Sequence, residues 1–105
     1  MKQYFVYILA SQRNGTLYTG VTNNMERRIV EHRNEVHDGF TSGYGVHKLV
    51  HLEEYSEIKE AIAREKRLKK WNRQWKLDLI ERTNPEWIDL SYPTDLTSDP
   101  AGSAT

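Results

Sequence analysis

The chain has no cysteine among its 105 residues. That excludes disulfide staples and thiolate metal sites, and it fits a reducing compartment. No stretch is long and apolar enough to span a bilayer, and the first residues lack a signal-peptide profile, so the expected setting is the bacterial cytoplasm with no membrane partner. An excess of charge of either sign is also missing: 15 Lys and Arg balance 15 Asp and Glu. A neutral chain gives no support by itself for nucleic-acid binding. The distribution is less even. Residues 1–55 carry six basic and six acidic residues, residues 56–82 carry nine and five, and residues 83–105 carry none and four. A basic segment is thus offset by an acidic tail. A solvated helix face is the ordinary account of such a run, although Trp71 and Trp75 inside it supply aromatic surface. There is no internal repeat, and the length allows one domain with one modest core.

What is present begins with Tyr4 to Ala10, an apolar and aromatic run that suits a strand buried on both faces. Asn14-Gly15 follows, a strong signal for a two-residue hairpin turn, and Leu17 to Thr22 forms the return strand. With Asn14 and Gly15 as the loop, Leu9 faces Gly20, Ser11 faces Tyr18 and Tyr7 faces Thr22. Tyr7, Tyr18 and Gly20 then share one face of the hairpin. A glycine inside a strand points to a bend or to a close approach by another group.

Asn23, with Glu26 three residues on, reads as the capping box of a short helix. Arg27 and Arg28 follow just past the first turn, where the helix dipole disfavours cations, and an anionic ligand would account for them. Arg28 and His32 lie four apart, on one helical face. The alternative is a solvated helix with an Arg27–Glu31 pair. Asn34 to His47 reads as a loop, rich in Gly39, Gly43 and Gly45 and carrying Thr41, Ser42 and Tyr44, whose hydroxyls suit phosphate oxygens.

Lys48 to Tyr55 reads as a third strand. Ser56 is the expected cap of a second helix with Ile58, Ala61, Ile62 and Leu68 as its apolar stripe. Glu65 falls on that stripe, among cations. A buried carboxylate must be paired or metal-bound, and an arginine across the core is one candidate partner. A third helix starts near Asn72, with Trp75 and Leu79 on its inner face, and stops at Thr83-Asn84-Pro85. Trp87 and Leu90 tack back onto the domain. The expected organisation is one domain over residues 1–90 and a disordered acidic tail over 91–105. His37, His47 and His51 lack the spacing of a zinc ligand set.

Val6-Tyr7, Tyr18-Thr19-Gly20, Arg28, His32 and, later, Ala61-Ile62-Ala63-Arg64-Glu65 with Leu68-Lys69-Lys70-Trp71 together resemble the GIY-YIG nuclease superfamily. The match is to its small stand-alone bacterial branch, related to the nuclease domain of the excision-repair incision subunit. Phe5 and Thr19 depart from the motif that names the family, and neither removes a reactive group. The resemblance implies a small α/β domain: a three-stranded sheet flanked by helices, in the order β-β-α-β-α-α. It implies an endonuclease that hydrolyses DNA phosphodiesters with Mg²⁺ or Mn²⁺, in DNA repair or a related setting, without a small-molecule cofactor. No stretch outside the domain reads as a sequence-reading module, so selectivity for DNA structure rather than sequence is expected. A homo-oligomer is compatible with all of this.

The same resemblance assigns roles. Glu65 would hold the metal, which keeps most of its waters. Arg28 would stabilise charge on the phosphate, its fixed fork suiting phosphate oxygens. Tyr7 or Tyr18 would take the proton from water, and His32 would position one of them, the water or the phosphate. Gly20, Arg27, Thr41, Tyr44 and Lys69 are the expected DNA contacts. Asn84 is a further candidate, at a longer spacing from Glu65 than in relatives. Two alternatives stand beside the enzyme: a nucleic-acid-binding or partner-recruiting module with the same fold and little turnover, and a protein-interaction domain built on the tryptophan helix.

Overall fold

The computed structural model describes residues 2–33 and 45–91. Three strands and three helices follow one another as β1 (Tyr4–Ala10), β2 (Leu17–Thr22), α1 (Met25–Arg33), β3 (Lys48–Tyr55), α2 (Ile58–Lys70) and α3 (Arg73–Thr83). This is the β-β-α-β-α-α order expected from the sequence. The sheet is antiparallel, in the order β2-β1-β3. The most apolar strand is therefore the central one, and Val6 to Ala10 are fully buried. No helix among the described residues is long and apolar enough to cross a membrane.

Alternation along β1 divides the interior in two. Val6, Ile8 and Ala10 face α2 and α3, packing with Val50, Ala61, Leu68, Leu79, Ile80 and Trp87. Tyr7 and Leu9 face the other way, toward Ile29 of α1 and toward Val46 and Leu49. A bulge between Ile8 and Leu9 leaves Val50 without a partner and keeps Leu49 and Leu52 on the Tyr7 face.

The hairpin differs from its predicted register. Tyr7 pairs with Gly20, Leu9 with Tyr18 and Ala10 with Leu17. The connection is a four-residue turn closed by Gly15 N–H donating to the Gln12 carbonyl at 2.9 Å, and Asn14 alone takes a left-handed φ of 60°. The register moves by two residues. Because the side-chain period in a strand is two, Tyr7, Tyr18 and Gly20 remain on one face.

The helix starts also shift. Asn24, not Asn23, caps α1: its side chain accepts from Arg27 N–H at 3.0 Å, and Thr22 Oγ1 accepts from Asn24 N–H at 3.1 Å. Glu26 is then only two residues past the cap, too near for a capping box. Ser56 does not cap α2; Glu57 stands at that position without a side-chain bond. The third helix starts where expected, and Asn72 caps it, accepting from Trp75 N–H at 2.9 Å. Of the predicted α2 stripe only Ala61 and Leu68 are buried, while Ile58 is 49% and Ile62 36% exposed. Trp75 is also at the surface. Trp87 is fully buried and donates its indole N–H to Glu81. Leu90 N–H pairs with the Leu49 carbonyl on the outer edge of β3.

Candidate functional site

The β1–β2 pleat and α1 bring four of the five singled-out side chains together. Tyr7 projects from the central strand across Gly20, and a Cβ at Gly20 would lie 2.5 Å from the Tyr7 phenol oxygen. The close approach that the glycine permits is thus made by the protein's own tyrosine. Arg28 Nε donates to that oxygen at 3.0 Å, and His32 Nε2 lies 3.3 Å from it. With Arg28 donating, the phenol proton is directed at His32, whose Nε2 accepts when the ring carries its proton on Nδ1. The Tyr18 ring completes the cluster, its centroid 5.5 Å from His32 and 6.3 Å from Tyr7. The spacing of Arg28 and His32 on one face of α1, read from the sequence, is what lets both reach the same phenol.

Burial separates the two tyrosines. Tyr7 is fully buried and Tyr18 half-buried. Burial pushes the Tyr7 phenol above its ordinary value of 10, and the Arg28 hydrogen bond only partly opposes this. Tyr7 therefore stays protonated at neutral pH. Arg28 stays charged: burial works against its charge, but the bonds to Tyr7 and Glu31 outweigh it. Its Nη1 sits 3.3 Å from Glu31, while Arg27 leans outward, 65% exposed, and reaches the same carboxylate at 3.8 Å. Arg28 also lines an open depression of about 280 Å³, with Tyr4, Val21, Thr22, Asn23, Ile58 and Ile62 as its other walls.

Glu65 comes from α2, on the far side of the sheet. Its carboxylate is 13% exposed and pairs with Lys69 Nζ at 2.6 Å, one turn along its own helix. The predicted alternative, an arginine across the core, is not the partner. Ile58, Ile62 and Glu65 occupy one helical stripe by their spacing of four, three and seven. Glu65 thus lies on the flank of α2 whose isoleucines meet Arg28 at the depression. Arg64 lies on the opposite flank and turns to β3. There Glu53 accepts both prongs of its guanidinium, at 2.9 and 3.0 Å, together with the Tyr55 hydroxyl and His51 Nε2, each at 2.8 Å. Despite its partial burial, these bonds hold the Glu53 carboxyl at about 2. The His51 hub was not predicted; its only trace in the sequence is the alternation of His51, Glu53 and Tyr55 on one strand face.

Asn84 is structural. It is buried, its amide donates to the carbonyls of Val50 and Ile88, and its oxygen accepts from Ile88 N–H. Thr41 and Tyr44 lie outside the described residues, as do His37, Gly39, Ser42, Gly43 and the acidic tail beyond Ser91. Among the described residues, no three His, Cys, Asp or Glu side chains form a group that could enclose a metal.

A family profile described as the GIY-YIG catalytic domain matches residues 3–78. A UPF0213 protein of Clostridium perfringens is 45% identical over 76 residues, covering 72% of this chain and 81% of that protein. A UPF0213 protein of Syntrophus aciditrophicus is 40% identical over 87 residues, covering 82% of this chain and 98% of that protein. Among solved structures, the solution NMR structure of a UPF0213 protein from Bacillus halodurans is 28% identical, covers 92% of this chain and 99% of that one, and superposes with a TM-score of 0.54.

Proposed function

The chain belongs to the GIY-YIG domain family, a family of nucleases, in its small stand-alone branch, and from that premise we propose that it is a divalent-metal-dependent endonuclease that hydrolyses DNA phosphodiesters with selectivity for structure rather than sequence. The observation that carries this reading is the Arg28–Tyr7–His32 hydrogen-bonded chain beside Tyr18, whose Arg28 lines an open depression. A guanidinium held in place by a buried phenol and by Glu31 is a fixed positive charge beside the depression, suited to stabilising a phosphate as charge develops there. Tyr18 is the tyrosine that a water can reach, and it serves as the base. Tyr7, held protonated by burial, orients Arg28 and donates its hydrogen bond to His32.

Glu65 fits an ion that takes one or two carboxylates and keeps most of its waters, as Mg²⁺ and Mn²⁺ do, and it does not fit a caged, fully protein-ligated metal. Such an ion would supply charge neutralisation at the phosphate and the leaving oxygen. One observation favours the alternative of a DNA-binding module with little turnover: Lys69 already neutralises Glu65. A cleavage screen decides between them, over duplex, flap, bubble and single-stranded DNA with Mg²⁺ or Mn²⁺. The enzyme reading expects metal-dependent nicking of at least one branched or unpaired substrate. Binding without cleavage of any of them selects the module.

A further inference from the structure

Six cations and no acidic residue fall between Lys66 and Leu77 in a chain whose net charge is zero. This stretch forms the corner where α2 hands over to α3. The corner is held rather than loose. Arg73 donates to the carbonyls of Asn14 and Gly15 at 2.6 and 2.7 Å, tying it to the β1–β2 turn, and Lys69 is joined to Glu65. Lys76 is half-buried near them; burial, and then the charges of Arg73 and Lys69, push its ammonium below the ordinary lysine value. Crowded cations of this kind repel one another, and an anion laid across them relieves the repulsion.

The aromatic on this corner faces water. Trp75 is 56% exposed, although the apolar pattern of α3 places it next to Leu79 on the inner side. Leu79 and Ile80 fill the core position, so packing does not require an indole there. The ring is nonetheless fixed: Trp71 meets it edge to face at 5.7 Å and 88°, and Trp71 is itself covered by the Arg64 guanidinium at 5.2 Å.

We propose that the α2–α3 corner binds single-stranded nucleic acid, with Lys69, Lys70 and Arg73 following the phosphates and Trp75 stacking on an unpaired base. Cations alone would accept a duplex or any polyanion. An exposed, braced indole adds affinity only where a base offers an open face, which a duplex does not. The inference deepens the nuclease reading and rests on it for the purpose of the strand: Lys69 links the corner to Glu65, so an unpaired segment held here leads to the proposed metal ligand. The binding itself does not depend on turnover.

The test uses the full chain in EDTA, with fluorescently labelled oligo(dT), oligo(U) and a duplex of the same length, read by anisotropy and by tryptophan emission. The parent should prefer the single strands, with quenching of tryptophan emission. Trp75→Ala should weaken binding of the single strands on the order of 10-fold and change duplex binding far less, and Trp75→Phe should recover most of the loss. Lys70→Ala should weaken both forms alike. Tighter binding of oligo(dT) than of oligo(U) names DNA as the strand, and the reverse names RNA; either supports the surface. Equal binding of single strands by the parent and Trp75→Ala overturns the proposal, as does a preference for duplex. If no substrate is cleaved but Trp75-dependent binding remains, the nuclease reading fails alone. If the protein cleaves while Trp75→Ala binds as the parent does, this inference fails alone.

Discussion

Arg28 and Arg64 stand on opposite sides of one sheet, each beside a histidine and a tyrosine, and they are used differently. Arg64 meets a carboxylate. Glu53 takes both of its prongs and also accepts from Tyr55 and contacts His51, so that hub is saturated and its carboxyl is held at about 2. It joins β3 to α2, and His51 reaches on to Thr83 at the end of α3. Arg28 gives its Nε to a neutral phenol and only its Nη1 to Glu31, a carboxylate it shares with Arg27, at the wall of an open depression. The same residue types therefore make a closed structural clamp where one carboxylate takes both prongs of the guanidinium, and a candidate reaction site where the guanidinium, held by Tyr7 and by one contact to Glu31, still lines an open depression. What separates them is the partner and the access, not the composition.

The sharpest way to break this comparison is at Glu65. Glu65→Ala should abolish cleavage while leaving DNA binding in EDTA intact and still weakened by salt, since the phosphate contacts release counterions. A variant that cuts as the parent does would reduce Glu65 to its ion pair with Lys69.

Next come the two arginines, changed in parallel. Arg28→Lys keeps the charge but loses the fork, and turnover should fall on the order of 10²-fold, with little change in DNA affinity or melting temperature. Arg64→Lys should do the opposite, lowering the melting temperature while turnover per folded molecule stays near the parent value. If Lys substitutes well at Arg28 in both assays, its role is electrostatic docking and the contrast with Arg64 disappears.

Gly20→Ala probes the packing between the strands. Its Cβ would meet the Tyr7 phenol oxygen at 2.5 Å, and overpacking of this kind costs about 1–3 kcal/mol. Urea unfolding should show the loss, and an unchanged midpoint would mean that Tyr7 yields without penalty.

The smallest effect concerns the clamp and pH. The Glu53 carboxyl is depressed from 4.5 to about 2. Its stabilisation is therefore present above the ordinary carboxylate value and fades as pH falls through that window toward 2. Because the group is partly exposed, roughly 2 kcal/mol is at stake. Glu53→Gln should be less stable than the parent at pH 6 and should lose less stability between pH 5 and pH 2, as followed by thermal unfolding. Parallel pH profiles would show that Glu53 is not the group that titrates.

Much of this arrangement was legible in the chain. The strand limits of β1, β2 and β3 match their apolar runs and flanking turn residues, because burial and backbone propensity act over neighbouring residues. The shared face of Tyr7 and Tyr18 was legible even though the register moved by two, since parity decides the face. Less legible were the caps: Asn23 and Asn24 are equivalent in sequence, and the Thr22 hydroxyl selects the second. Trp75 looked like a core residue by its spacing, yet the core beside α3 was already filled by Leu79, Ile80 and Trp87 from beyond the helix.

The sequence by itself determined the order of elements, the family and the set of candidate side chains, because these follow from local pattern and residue identity. Only the tertiary structure decided that Tyr7 is sealed beneath Gly20 while Tyr18 is half open, that Arg64 is matched by Glu53, and that Arg28 opens on a depression. Each of these depends on which groups meet across the sheet and on how much water reaches them. Burial and charge pairing between residues far apart in the chain are properties of the packed molecule, and local sequence carries no term for them.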